Sequence, residues 1–201
     1  MNWTEVSLKQ YNDIKQIFLE PDFSEEDRII LLINILFGVD ALKLKTSEIN
    51  SYVSQLKFLS TNPPKMKLKE KYKLGENWYI LRRNLKDFTV AQWIDFQNFL
   101  KNGADTDNYN NLLSVFFLPE GQTEYGEYDV EQVRNDINNY LSISDATSIA
   151  SFFLTYQKAL LIRSLLYTRK KVLKTPMEKT EKKKIKKEFR KLIWKTLLVG
   201  V

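Results

Sequence analysis

The chain has 201 residues, 43% apolar and 13% aromatic, with 31 Lys/Arg against 25 Asp/Glu, no His and no Cys. That length suits one domain, or one domain with an appended arm, and the apolar content supports a real core, which argues against wholesale disorder. The missing residue types exclude cysteine nucleophiles, disulfides, thiolate zinc sites, Ser-His-Asp triads and His-ligated metals, leaving carboxylates alone for a Ca²⁺ or Mg²⁺ site.

The charge is unevenly placed. Fourteen of the Lys/Arg and three of the Glu lie from Arg163 to Lys195, a local balance of +11 that leaves the remainder at −5. A mildly acidic body over residues 1–156 and a basic arm over 157–201 are expected.

Behind Ser7, residues Leu8, Tyr11, Ile14 and Phe18 recur at helical spacing, predicting a helix over 7–19 that Pro21 ends. Ser24 followed by Glu25, Glu26 and Asp27 is a capped, acidic start for a second helix running to Gly38. A third helix is expected over 47–59, with Ile49, Val53, Leu56 and Leu59 facing inward. After Asn62-Pro63-Pro64 the period changes. Met66, Leu68, Tyr72 and Leu74 alternate with lysines, Gly75-Glu76-Asn77 reads as a turn, and Trp78-Tyr79-Ile80-Leu81 is β-prone. One small β-hairpin at about 66–82 is expected, the only β element.

Helices follow over 89–101, capped by Thr89, and over 109–118, closed by Pro119 and Gly121, with a loop over 102–108 between them. Asp129 to Gln132 opens a helix reaching Asn139, and Ser142 or Ser144 starts a long helix with Ile149, Phe152, Phe153, Tyr156, Leu160, Ile162 and Leu166 on its apolar face. The last helix is expected from Pro176 with Thr175 as cap. The fold class is mainly α: a helical domain with one small β-hairpin and a basic C-terminal helical arm.

No catalytic, cofactor-binding or metal-ligating residues are expected. Glu25-Glu26-Asp27 and Glu127, Asp129 and Glu131 lie where helix starts favour negative charge, so they read as structural rather than as a general acid and base. Gly103, Gly121 and Gly126 are isolated and form no phosphate-cradling loop. The first residues lack the basic and apolar regions of a signal peptide. The longest apolar run, 29–33 with 35–37, is too short to span a bilayer, so a soluble chain is expected.

Two constellations remain as interaction surfaces. Lys182, Lys183, Lys186, Lys187, Arg190 and Lys191 surround an apolar line of Ile185, Phe189, Leu192, Ile193 and Leu197, the pattern of an amphipathic basic helix. Its readings are a solvated helix packed on the body, a phosphate-backbone contact or an acidic protein groove; an anionic membrane surface ranks below these, since Phe189 and Trp194 are its aromatics, and no membrane partner is expected. Aromatics are not interleaved as a base-stacking platform needs. The second constellation is aromatic. Trp93, Phe96 and Phe99, with Val90, Ile94 and Leu100, cover more than one helix face, and the neighbours Phe116 and Phe117 would point about 100° apart on a helix. Such surplus apolar surface suits a protein partner.

The order of several blocks resembles tail-assembly-chaperone-like proteins of tailed phages from Bacteroides-type hosts. The blocks are Trp3 with Ser7-Leu8-Lys9-Gln10-Tyr11, the helix from Asp27-Arg28 to Leu36-Phe37-Gly38-Val39-Asp40, and the lysine-rich hairpin. They continue with Thr89, Gln92, Trp93, Asp95 and Gln97; with Leu112 to Gly121; with Tyr128, Asp129, Glu131 and Val133; and with Asp145-Ala146 to Phe152-Phe153. The resemblance spans about residues 3–156 and has no counterpart for the arm. It implies a non-enzymatic morphogenesis protein that binds a tail component, such as a tape-measure protein, in the cytoplasm of an infected bacterium. The implied partners are phage tail or neck proteins, and a homo-oligomer is compatible with that role. A structural virion component of the neck, connector or tail, and a nucleic-acid-binding accessory protein acting through the arm, are the alternative readings.

Overall fold

The computed structural model describes residues 1–198, with side chains through Thr196. Leu197, expected in the arm's apolar line, therefore has its side chain outside the described residues. The chain divides into two compact units, Met1–Ala150 and Ser151–Val201. The division falls inside one helix.

The first unit begins with a backbone tie. The Leu8 N–H donates to the Leu141 carbonyl and the Ile143 N–H to that of Val6, each at 2.9 Å, around an isolated antiparallel bridge of Ser7 with Ser142. This sets α1 (Leu8–Leu19) beside the junction of α6 (Val130–Tyr140) and α7 (Ile143–Lys174). Helix α2 (Glu25–Phe37) runs antiparallel to α1. Gln10 Nε2 donates to the Ile35 carbonyl at one end and Arg28 Nη2 to the Glu20 carbonyl at the other. Both helices open with capping boxes, Ser7 with Gln10 and Ser24 with Asp27, so orphan N–H groups at each start are satisfied locally. Their inward residues Leu8, Ile14, Ile17, Leu32, Ile33 and Leu36 are buried.

The third helix, α3 (Thr46–Gln55), is shorter than expected and gives way to a 3-10 turn over Leu56–Ser60. No residue of α3 is buried, so packing does not extend it. The hairpin forms as β1 (Lys71–Leu74) and β2 (Asn77–Leu81), with Tyr72 opposite Tyr79. Tyr72, Leu74, Tyr79 and Leu81 face inward while the alternate side chains face out, the period of a half-buried sheet.

The largest departure from expectation lies at 109–118. Helix α5 (Tyr109–Ser114) stops early, and Phe117–Pro119 becomes a third strand, β3, antiparallel to β2. The free edge of β2 supplies the reason. The Arg82 N–H donates to the Phe116 carbonyl and the Glu120 N–H to the Trp78 carbonyl, both at 2.8 Å, pairing backbone that a continued helix would leave open at that edge. The expectation that the hairpin is the only β element is thereby corrected to a three-stranded sheet ordered β1-β2-β3.

Helix α4 (Val90–Lys101) is capped by Thr89 and Gln92, and α6 by Asp129. α6 packs between α5, α1 and β1. Ser142 caps α7, its Oγ accepting from the Asp145 N–H at 3.1 Å. Helix α8 (Lys179–Leu198) starts later than expected, because Thr175 closes α7 instead of opening α8: its N–H and its hydroxyl both donate to the Val172 carbonyl. The second unit thus consists of the greater part of α7, a short turn and α8. Of its described residues, Phe153 alone is buried.

Candidate functional site

The aromatic residues expected to form a partner surface separate into two groups. Phe96 and Phe116 are fully enclosed and Phe117 is 1% exposed, so these three are core, not surface. The switch from α5 to β3 explains the Phe116–Phe117 pair. Phe116 stands in the turn that ends α5 and Phe117 opens β3, so the two neighbours pack into different parts of the core. Phe116 packs on Phe88 and Phe96 with ring centroids at 5.4 and 5.2 Å, while Phe117 packs on Tyr72 and Tyr79 at 5.4 and 6.3 Å. Each such burial contributes about 1.5–3 kcal/mol. Phe99 is half-buried, with the Arg134 guanidinium 5.1 Å from its ring centroid.

Trp93 does reach the surface, together with two of the apolar residues expected beside it. Val90, Trp93 and Ile94, at helical positions i, i+3 and i+4, form one exposed apolar face of α4 opposite the face that buries Gln92 and Phe96. Gln92 is anchored there, its Nε2 donating to the Val115 carbonyl at 3.2 Å.

A second exposed apolar cluster was missed altogether. Phe18 (55% exposed), Leu19 (65%) and Phe23 (37%) stand at the end of α1 and in the link to α2. Phe18 and Leu19 line a groove of about 290 Å³ with Trp3, Tyr11, Leu59 and Pro63. Trp3 forms its floor, buried, with its indole N–H donating to the Thr61 carbonyl at 2.8 Å. Because α1 and α2 are antiparallel, the acidic first turn of α2 lies at the same end as Phe18 and Leu19. Phe18, which shares helical spacing with Leu8, Tyr11 and Ile14, is exposed, and Ile17 takes the buried position at this end of α1 instead. Lys15, also in the groove wall, is already neutralised: its Nζ binds Asp107 Oδ2 at 2.7 Å, and that hydrogen bond raises its pKa above the ordinary lysine value.

The buried polar chemistry of the body is concentrated at Asp136, 4% exposed. Tyr79 Oη (2.6 Å) and Asn77 Nδ2 (2.8 Å) donate to one carboxylate oxygen, and Gln132 Nε2 (2.7 Å) donates to the other. Burial, then the hydrogen bond to Asp136, push the Tyr79 phenol well above its ordinary value. This carboxylate fastens the sheet to α6. Among the described residues no three carboxylates gather to hold a metal ion.

In the second unit, the arm residues expected to carry charge are mostly exposed: Lys183, Lys186, Lys187, Arg190 and Lys191 are exposed and Lys182 is half-buried. At 100° per residue, Ile185, Phe189, Leu192 and Ile193 form one stripe; Lys186 and Arg190 border it, while Lys183, Lys187 and Lys191 occupy the back of the helix with Trp194. Trp194 is 58% exposed and Leu192 47%. α7 carries Leu161, Leu166 and Tyr167 at 45–69% exposure. By length and composition α7 is also apolar enough to cross a membrane, with 17% of its most apolar stretch buried, although Lys158 and Arg163 interrupt the apolar residues. Reading unbroken apolar runs passes over this, because the apolar residues of α7 are spread among polar ones. Each unit thus exposes apolar side chains beside charged ones.

No protein-family model, curated protein or solved structure matches the chain.

Proposed function

We propose that this chain is a non-enzymatic assembly protein of tailed-phage morphogenesis, which holds a tail component of the tape-measure kind through apolar surfaces it leaves uncovered. The observation that carries the reading is the second unit, where two long helices bury one side chain, Phe153, among the described residues. An apolar helix in water without a covered face is an incomplete structure, since helical stability in proteins comes mainly from packing an apolar face. The exposed Leu161, Leu166 and Tyr167 of α7 are completed when a partner's helix lies on them. The order of motifs over residues 3–156 supports placing that partner among phage tail proteins, and the proposed place of action is the cytoplasm of the infected bacterium.

The test is co-expression with the tape-measure-like protein of the same genome. A soluble complex should form, and Leu161→Asp with Leu166→Asp should abolish it while the body's near-ultraviolet circular dichroism is unchanged. A client that stays insoluble with the wild-type chain present overturns the reading. Mass spectrometry of purified particles then separates a chaperone, absent from the virion, from a structural component. Co-sedimentation with anionic vesicles in place of the client would mark the exposed helix faces as membrane-binding instead.

A further inference from the structure

The body and the arm carry opposite charge, and each displays an apolar strip without a cover. Over Met1–Ala150 the Lys/Arg and Asp/Glu balance is −6, and over Ser151–Val201 it is +12. The negative charge is focused beside the groove at the end of α1. Glu20, Asp22, Glu25 and Glu26 are all exposed there, and none takes part in an ion pair among the described residues. Phe18, Leu19 and Phe23 provide the exposed apolar strip next to them. The groove's one lysine is spoken for by Asp107, so the rim keeps its negative sign.

Helix α8 has the converse pattern. Ile185, Phe189, Leu192 and Ile193 form one stripe at 100° per residue, with Lys186 and Arg190 on one side of it and Glu181 and Glu188 on the other; Lys186 and Arg190 are exposed and make no ion pair among the described residues. From Ile185 to Leu192 this line is about 10 Å long, a length two turns of helix present to a partner.

We propose that α8 of one copy seats on the Phe18–Leu19–Phe23 strip of a second copy, with Lys186 and Arg190 facing the carboxylates of Glu25 and Glu26. The occupant is a second copy of this chain because α8 offers the strip an apolar line and, along its Lys186–Arg190 side, the opposite charge. The contact joins two different surfaces, so it is heterologous. Repeated, it either closes a ring or extends a filament, and a ring is the form that fits an assembly built on a cylindrical tail. The reading of the arm as a docking helix underlies this step, but the contact with a second copy needs no client. Self-association of the purified chain therefore stands or falls separately from client binding.

Sedimentation velocity of the full-length chain over a wide concentration range tests the contact. Wild type should shift from monomer to larger species as concentration rises, and added salt should reverse the shift, since exposed charge pairs are screened over about 10 Å at 0.1 M salt. Glu25→Lys with Glu26→Lys should weaken association at least about tenfold, and Lys186→Glu with Arg190→Glu should do the same. Mixing the two variants should restore association, because each then meets the complementary sign. Circular dichroism at matched concentration confirms that both variants keep the wild-type fold. A wild type that stays monomeric at every concentration overturns the proposal. So does a mixture no more associated than its components, or a salt-sensitive change in shape independent of concentration, which would mean that α8 folds onto its own body.

Discussion

At Asp136 a charge is buried with neutral partners only, and that makes the residue a sensitive reporter of the fold. Three donors from β2, its turn end and α6 converge on two oxygens. Removing the carboxylate strands the Tyr79 hydroxyl, 2% exposed as a residue, without an acceptor. Asp136→Ala should therefore cost about 2–4 kcal/mol, the usual penalty for orphaned buried polar groups. At roughly 2–4 °C per kcal/mol for a domain of this size, the thermal midpoint should fall by about 5–15 °C. Asp136→Asn keeps one acceptor oxygen and should lose distinctly less; equal losses would show that packing, not hydrogen bonding, sets the value. The tyrosines add a pH dependence. Burial pushes Tyr128 from 10.0 up to about 12, partly offset by the nearby Arg82 charge, and Tyr79 and Tyr125 are raised as well. In the unfolded chain these phenols ionise near the ordinary value, so the unfolded state gains free energy first as pH climbs. Stability should be level below pH 10 and fall as pH rises from there through about 12. Tyr128→Phe should flatten part of that decline in urea melts taken at pH 8 and pH 11. An unchanged slope would remove Tyr128 from the account.

Among the elements, the β1–β2 turn depends on one backbone conformation. Gly75 has φ +59 and is the first of two loop residues between paired Leu74 and Asn77, while the second, Glu76, has negative φ. That is the arrangement in which glycine is favoured at the first position of a two-residue hairpin loop. A Cβ there would also lie 2.8 Å from the Tyr140 ring. Tyr140 is 57% exposed, so the ring can swing outward and the backbone conformation sets most of the cost. Gly75→Ala should destabilise the chain by about 1–2 kcal/mol, seen as a lower urea midpoint. Adding Tyr140→Ala should recover little of it, and full recovery would mean that crowding dominated. This turn was readable in advance, as were the caps at Ser7, Ser24, Thr89 and Asp129, because each depends on residues within three positions of one another. β3 was not. Leu112 to Leu118 is apolar enough for a buried helix or a buried strand, and local pattern does not decide between them. The decision comes from the β2 edge more than thirty residues earlier, which no window around Phe117 contains. The same tertiary choice moved Phe116 and Phe117 from candidate surface to core and left Trp93 as the expected aromatic that stays outside.

For the molecule as a whole, buried apolar side chains are concentrated in one stretch of the chain. Among the described residues, every buried apolar side chain apart from Phe153 lies within Met1–Ala150. Composition made this division visible, since a charge excess and a run of alternating apolar and basic residues mark the arm without reference to structure. What composition could not supply was the acidic, apolar rim at Phe18 and Glu25, which exists only because α1 and α2 turn back antiparallel and place two distant sequence features at one end. A consequence follows for truncation. Residues beyond Thr175 contribute no buried side chain among those described, so ending the chain there should leave the body's cooperative thermal transition within about 2 °C of wild type. Helical circular dichroism should drop by the share of α8, and salt-sensitive self-association should disappear. Calorimetry and sedimentation on the same sample decide it. If the midpoint instead falls by several degrees, α8 is part of the stabilising core and not a free docking helix. If the midpoint holds and self-association persists, the α8 contact is wrong while the separation of core from interaction surface still stands.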